Sequence, residues 1–296
     1  MQSFKRGFAF LEQSWRMALA DRDLIKPSIF ALVAGFIVTL IGMIPITITG
    51  FFLSDFRLGQ VIIYILGALL IFVHYLVSYV FSAMTVYLIY GYLSEGDGRM
   101  DKAWNIVRRD FLNILSLAAV STVVNILKGG VRGKGRSGGR NMLAGLIETV
   151  WTEATYLILP AMVIEDIGLM DSVRRAGRIV RDNLLLIGVS TVGVKAITGL
   201  FGFLLGAVGV GLGFGIAFGL ISITQGAVFG WVSGVTLGGL VASIFILTAT
   251  LIGSYTLTAY HTCLYLWARD VEQAQSRGQS IEGIRAPEPL AAVIGN

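Results

Sequence analysis

The stretch GAVFGWVSGVTLGGLVA, Gly226–Ala242, carries a small residue at every fourth position: Gly226, Gly230, Gly234, Gly238 and Ala242. In water each internal glycine costs a helix roughly 1 kcal/mol against alanine. In lipid the balance differs. Apolar helices gain nothing there by hiding apolar surface, and small residues let two backbones approach closely. The pattern therefore predicts a membrane helix, and its surroundings agree: from Ala196 to Ala268 the chain contains no Asp, Glu, Lys or Arg.

Composition leads to the same solvent. Of 296 residues, 55% are hydrophobic and 14% charged, where a soluble domain has about 25% charged. Mean hydropathy is +0.77. The single Cys263 leaves no intrachain disulfide or thiolate metal cluster. The start, MQSFKRGFAFLEQSW, has early positive charge but no cleavage pattern, so the mature protein is expected to begin near residue 1.

A bilayer crossing needs about 20 apolar residues. Candidate spans are 27–53, 60–93, 111–128, 141–164, 184–206 and 235–268, with 207–234 a further span, a helix extension or a re-entrant segment. Between them 5–20, 101–109 and 169–183 read as amphipathic interfacial helices. In the last, Leu169, Val173, Ala176 and Val180 form the apolar side, with Arg174, Arg175, Arg178 and Arg181 opposite as a site for anionic lipid headgroups.

The junctions repeat. YLIYGYLSEGDGRMD (87–101) matches YLILPAMVIEDIGLMD (156–171) with one insertion, and IVRRDFLNIL (106–115) matches IVRDNLLLIG (179–188). SWRMALADRDLIKPSIF keeps the same order, and a third copy ends at CLYLWARDVE. The expected fold is an all-α polytopic transmembrane bundle of about six spans, built from three units of interfacial helix plus hairpin over residues 1–270. A polar, extended tail is expected over 271–296. Positive charge beside the spans predicts that both termini are cytoplasmic. The basic loop KGGVRGKGRSGGR (128–140) breaks that rule, or else its flanking segments do not fully cross.

SWRMALADRDL, FSAMTVYLIYGYLSEGD and WTEATYLILPAMVIEDIGLMDSVRRAGRIVRDN together resemble an uncharacterised family of six-span prokaryotic membrane proteins. More loosely they are similar to the membrane domain of some glycerophosphodiester phosphodiesterases. The resemblance spans about residues 8–200. It implies a helical membrane bundle and no activity, and beyond residue 200 the chain departs from the family pattern.

Two groups of residues carry the functional expectations. Gly211, Gly215 and Gly219 form a second ladder beside Gly226, Gly230, Gly234, Gly238 and Ala242. The ladders pack as a hairpin within one chain, or between subunits around an axis that could line a pore. His74, Glu148, Glu153, Lys195 and His261 are ionisable residues at membrane depth, where charge is costly and faces a protein interior or water. A Glu153–Lys195 pair would hold two hairpins together or serve a proton or ion path.

No enzyme, cofactor or metal site is expected. GKGRSG (133–138) matches GxGxxG but follows no strand. No His-Glu-x-x-His or Gly-x-Ser-x-Gly occurs, and no folded basic domain suggests nucleic acid. The expected protein is a homo-oligomeric channel or pore in the prokaryotic cytoplasmic membrane. A scaffold binding lipid or a larger complex, and a proton- or ion-coupled transporter, stay as alternatives.

Overall fold

The computed structural model describes residues 2–53, 55–131, 138–182, 184–279 and 284–294. Among them every regular element is a helix. In chain order these are α1 (Gln2–Ala20), a short 3-10 turn (Arg22–Leu24), α2 (Lys26–Leu53), α3 (Arg57–Glu95), α4 (Met100–Arg109), α5 (Phe111–Val131), α6 (Gly138–Glu165), α7 (Leu169–Asp182), α8 (Leu184–Ile223), α9 (Val228–Ser276) and α10 (Glu288–Ile294). The order is that of the repeat: α1, α4 and α7 each precede a pair of longer helices.

Five stretches among the described residues are long and apolar enough to cross a membrane: Arg22–Leu53, Arg57–Glu95, Phe111–Gly129, Gly193–Ile223 and Val228–Ser276. The chain is thus a multi-pass membrane protein of all-α class. The expected span at 141–164 corresponds to α6, much of whose first half has side chains outside the described residues, Glu148 included. The loop at 132–137 also lies outside them.

The helix bounds select the helix-extension reading of 207–234 and correct the expected tail. Residues 207–234 are neither a separate span nor re-entrant; they are the ends of α8 and α9 with a turn at 224–227 between them. The chain after 271 is not simply extended. α9 runs to Ser276, and α10 buries Leu290 completely.

Contacts divide the chain into two compact units. One comprises Met1–Arg16, Leu185–Tyr260 and Glu288–Asn296; the other comprises Met17–Leu184 and His261–Pro287.

In the first unit α8 and α9 form a hairpin whose contacts are made of glycine. Over 228–254 the only buried residues are Gly230, Gly234 and Gly238, and over 199–223 only Gly209 and Gly213. A Cβ added at Gly234 would lie 2.8 Å from the Ala217 carbonyl oxygen, and one at Gly238 would clash with the Gly213 carbonyl. The other side chains face outward, including Phe214, Phe218, Phe229 and Val232. The outward-facing run 228–254 extends about 40 Å at 1.5 Å per residue, enough to cross a hydrocarbon core of about 30 Å. Past it, α9 becomes buried at Tyr255, Thr256, Ala259 and Tyr260. There Phe10 of α1 meets Tyr260 edge-on at 5.4 Å, and Gly7 lets α1 approach Gly193 of α8.

In the second unit α3, α5 and α6 pack together and bury Leu88, Ile89, Ile114, Leu117, Leu157, Ile158 and Met162. The repeated YLI segments (Tyr87–Ile89 and Tyr156–Ile158) thus lie in this core. Both repeated junctions also turn alike. α3 ends at Gly96 with φ 80°, and its N–H is bonded to the Tyr92 carbonyl. α6 ends beside Asp166 at φ 54°. Gly98 follows the first turn and Gly168 the second. A left-handed cap ends each long helix and redirects the chain into an amphipathic one. Because a Cβ in that conformation is strained, Gly96→Ala is expected to cost about 1 kcal/mol, read as a lower midpoint of thermal unfolding in detergent.

Candidate functional site

α7 has three faces. Ser172, Ala176 and Ile179 form the buried one. Arg174, Arg178 and Arg181 are exposed on the opposite side. Met170 and Val173 are exposed apolar groups at its flank. The expected apolar side is therefore rotated: Ala176 is buried as anticipated, but Val173 is open.

Arg175 is the larger correction. It is not presented to headgroups; its side chain is only 12% exposed and reaches Glu165 of α6 at 3.1 Å and Glu272 of α9. Burial opposes its charge, but the hydrogen bonds it donates to both carboxylates more than offset this and raise its pKa above the ordinary arginine value. Its angular position explains the difference. At 100° per residue, Arg175 sits at the edge of the buried stripe, and its long stem carries the guanidinium inward.

The same bracing recurs at the other junctions. Asp21, after α1, accepts the Gly98 N–H at 2.7 Å, so the α3–α4 turn is tied to the start of the first hairpin. A Cβ at Gly98 would come within 2.8 Å of that carboxylate. Arg109, at the end of α4, bonds the buried Asp110 and also Asp166 at 3.1 Å. Each of these turns or helix ends is thus gripped by a charged group on or just after an amphipathic helix.

Deeper in the second unit lies a polar cluster. Tyr79 on α3 and Ser121 on α5 are 2.8 Å apart, and Trp151 on α6 donates its indole N–H to Ser121 at 3.0 Å. Asn125 donates to the Tyr75 hydroxyl at 3.1 Å. Two residues beyond Trp151, Glu153 lies 3.2 Å from His261 Nε2, and Tyr156 stacks on the His261 ring at 4.3 Å. Ser121 is ten residues past the start of α5, about 15 Å along that helix. The Tyr79–Ser121–Trp151 group therefore sits near the middle of α5, where polar groups must be satisfied by one another.

Glu153 thus meets His261, a partnership that spacing along the sequence did not suggest. Lys195 lies on α8, half-buried. His74 lies on α3 and faces Thr39 of α2. Its Nδ1–H donates to the Leu70 carbonyl at 3.0 Å, and its Nε2 is 3.0 Å from Thr39 Oγ1.

The ladder residues divide as well. Gly234, Gly238 and Ala242 do face α8, where their partners are Gly213 and Ala217, with Phe245 against Gly209; Gly230 instead meets Thr224 in the turn and the Leu220 carbonyl. Gly211, Gly215 and Gly219 face away, with nothing within 4 Å of an added Cβ. Gly226 does not belong to the ladder. It lies in the turn before α9 at φ 78°, where its freedom to adopt a left-handed conformation is what counts. Spacing by four placed Gly226 in register with a helix that begins two residues later.

Sequence reading missed Glu165, Glu272 and the polar cluster. Glu165 had a usable signal, since it aligns with Glu95 in the repeat. Among the described residues no group of three or more His, Cys, Asp or Glu is arranged to hold a metal.

The class this fold and its braced junctions define is a multi-pass helical membrane protein of repeated hairpins. The chain belongs to the family of unknown function DUF6159, whose family model matches residues 62–274. That range corrects the resemblance limits of about 8–200, because the glycine-rich hairpin lies inside it. No curated protein matches the chain.

Removing one partner of a largely buried ion cluster leaves uncompensated charge and typically costs 3–5 kcal/mol. Arg175→Met is expected to destabilise by about 3 kcal/mol. Adding Glu165→Leu and Glu272→Leu is expected to recover most of that loss, as measured by thermal unfolding of the purified protein.

Proposed function

We propose that this is a non-enzymatic multi-pass membrane protein that assembles with copies of itself through the outer face of α8. The observation that carries this reading is the second small-residue face. Gly211, Gly215 and Gly219 recur every fourth residue, opposite the face used by α9. Phe214 and Phe218 stand beside them, each more than 70% exposed. A glycine groove next to an aromatic ridge is complementary to the same surface on a second copy. Lipid chains fill such a groove less well than a helix does. A ring closed around that face would make a pore, with both termini and the arginine-rich helices on the cytoplasmic side.

A second reading draws on the Glu153–His261 pair. A partly buried ionisable pair in a membrane protein, with Tyr156 stacked on its histidine, is the kind of group that proton- or ion-coupled transport uses. Glu153→Gln separates the two readings: coupled transport predicts loss of pH-dependent flux with particle size unchanged.

The main test is particle mass in native-lipid nanodiscs. The wild type is expected above the 31.9 kDa of one chain. Gly215→Leu is expected to yield folded monomers, whereas Gly238→Leu disrupts the hairpin itself and lowers thermal stability. A wild type that is already monomeric would sink the assembly reading.

A further inference from the structure

We propose that the cleft along α7 binds the headgroup of an anionic phospholipid, with Arg178 and Arg181 holding its phosphate. The cleft is about 860 Å³, and its charged lining comprises Glu165, Asp171, Arg174, Arg175, Arg178 and Arg181. With Glu272, which Arg175 also engages, four cations stand against three carboxylates and leave one net positive charge. The pairing shows where positive charge is unopposed. Arg175 is engaged with Glu165 and Glu272. Arg174 lies 3.3 Å from Asp171. The surplus therefore falls on Arg178 and Arg181, which stand one turn apart on the exposed stripe, close enough for both guanidiniums to meet one phosphate group.

The Arg175 clamp makes this possible. By drawing Glu165 and Glu272 toward itself, it offsets part of the negative charge that would otherwise repel an anion. Gly177 adds room, since a Cβ there would meet nothing within 4 Å.

The lipid origin of the phosphate follows from the same helix. α7 is preceded by the apolar α6 and followed by the apolar α8, so its arginines are tethered beside the bilayer. Met170, 65% exposed, and Val173 flank the arginine stripe. A free phosphate would make no use of that apolar flank, whereas the acyl chains of a bound lipid would lie against it.

The test uses the full chain in nanodiscs of phosphatidylcholine mixed with phosphatidylglycerol, with retained lipids identified by native mass spectrometry. The wild type is expected to enrich phosphatidylglycerol, and the Arg178→Gln, Arg181→Gln double variant to lose about thirtyfold of that enrichment. Arg277→Gln, a charge removal outside the cleft, is expected to retain it. Inorganic phosphate should displace no more lipid than sodium chloride of equal ionic strength. Undiminished enrichment in the double variant overturns the proposal, as does selective displacement by inorganic phosphate, which would mark a site for the free ion. A second readout guards against misfolding: the wild type should melt higher with phosphatidylglycerol than with phosphatidylcholine alone, and equal midpoints also overturn it. Particle mass is expected to be unchanged in the double variant, so this result and self-assembly through α8 are judged separately.

Discussion

A lipid exterior removes the force that normally draws apolar helices together, and the architecture depends on that constraint. A leucine facing lipid is as well solvated as one facing another helix. What remains is close backbone approach, internal hydrogen bonds and electrostatics. The structure separates them by depth. Glycine contacts hold the α8–α9 hairpin where outward side chains are apolar. Hydroxyl, indole and amide bonds tie α3, α5 and α6 within the span. Charged clamps act at the helix ends, where Asp21, Arg109 and Arg175 each grip a junction.

The clamps also explain why amphipathic helices alternate with hairpins. A hairpin in lipid has little to fix its position relative to the next one. A short helix lying across the junction, with one charged group turned inward, supplies that reference. Arg175 does this most fully, joining the end of α6 to the distal part of α9 across almost a hundred residues of sequence. The outward Arg178 and Arg181 of the same helix take no part in that clamp.

Membership of a family of unknown function, over most of the chain, bounds the functional reading without filling it. Three features lie beyond simple packing: the second glycine face of α8, the Glu153–His261 pair within the second unit, and the arginine-lined cleft on α7. The first belongs to one compact unit and the other two to the other.

Helix type and the order of short amphipathic helices before pairs of longer ones were legible in the residues. They rest on local rules: apolar run length, amphipathic period, and the shared junction pattern that ends α3 and α6 in left-handed turns. Partnership was not legible. Spacing by four showed that Gly211, Gly215, Gly219, Gly234 and Gly238 could pack, but only the crossing of α8 over α9 decided which of them do. Composition marked Arg175 as one of four equivalent arginines. Its angular position against α6 and α9 turned it inward while its neighbours stayed out. Glu153 was recognised as an ionisable residue in a span, yet its meeting with His261 depends on the register of helices more than a hundred residues apart. Periodicity along one helix specifies a face; which neighbour meets that face is set by the three-dimensional packing of all the others.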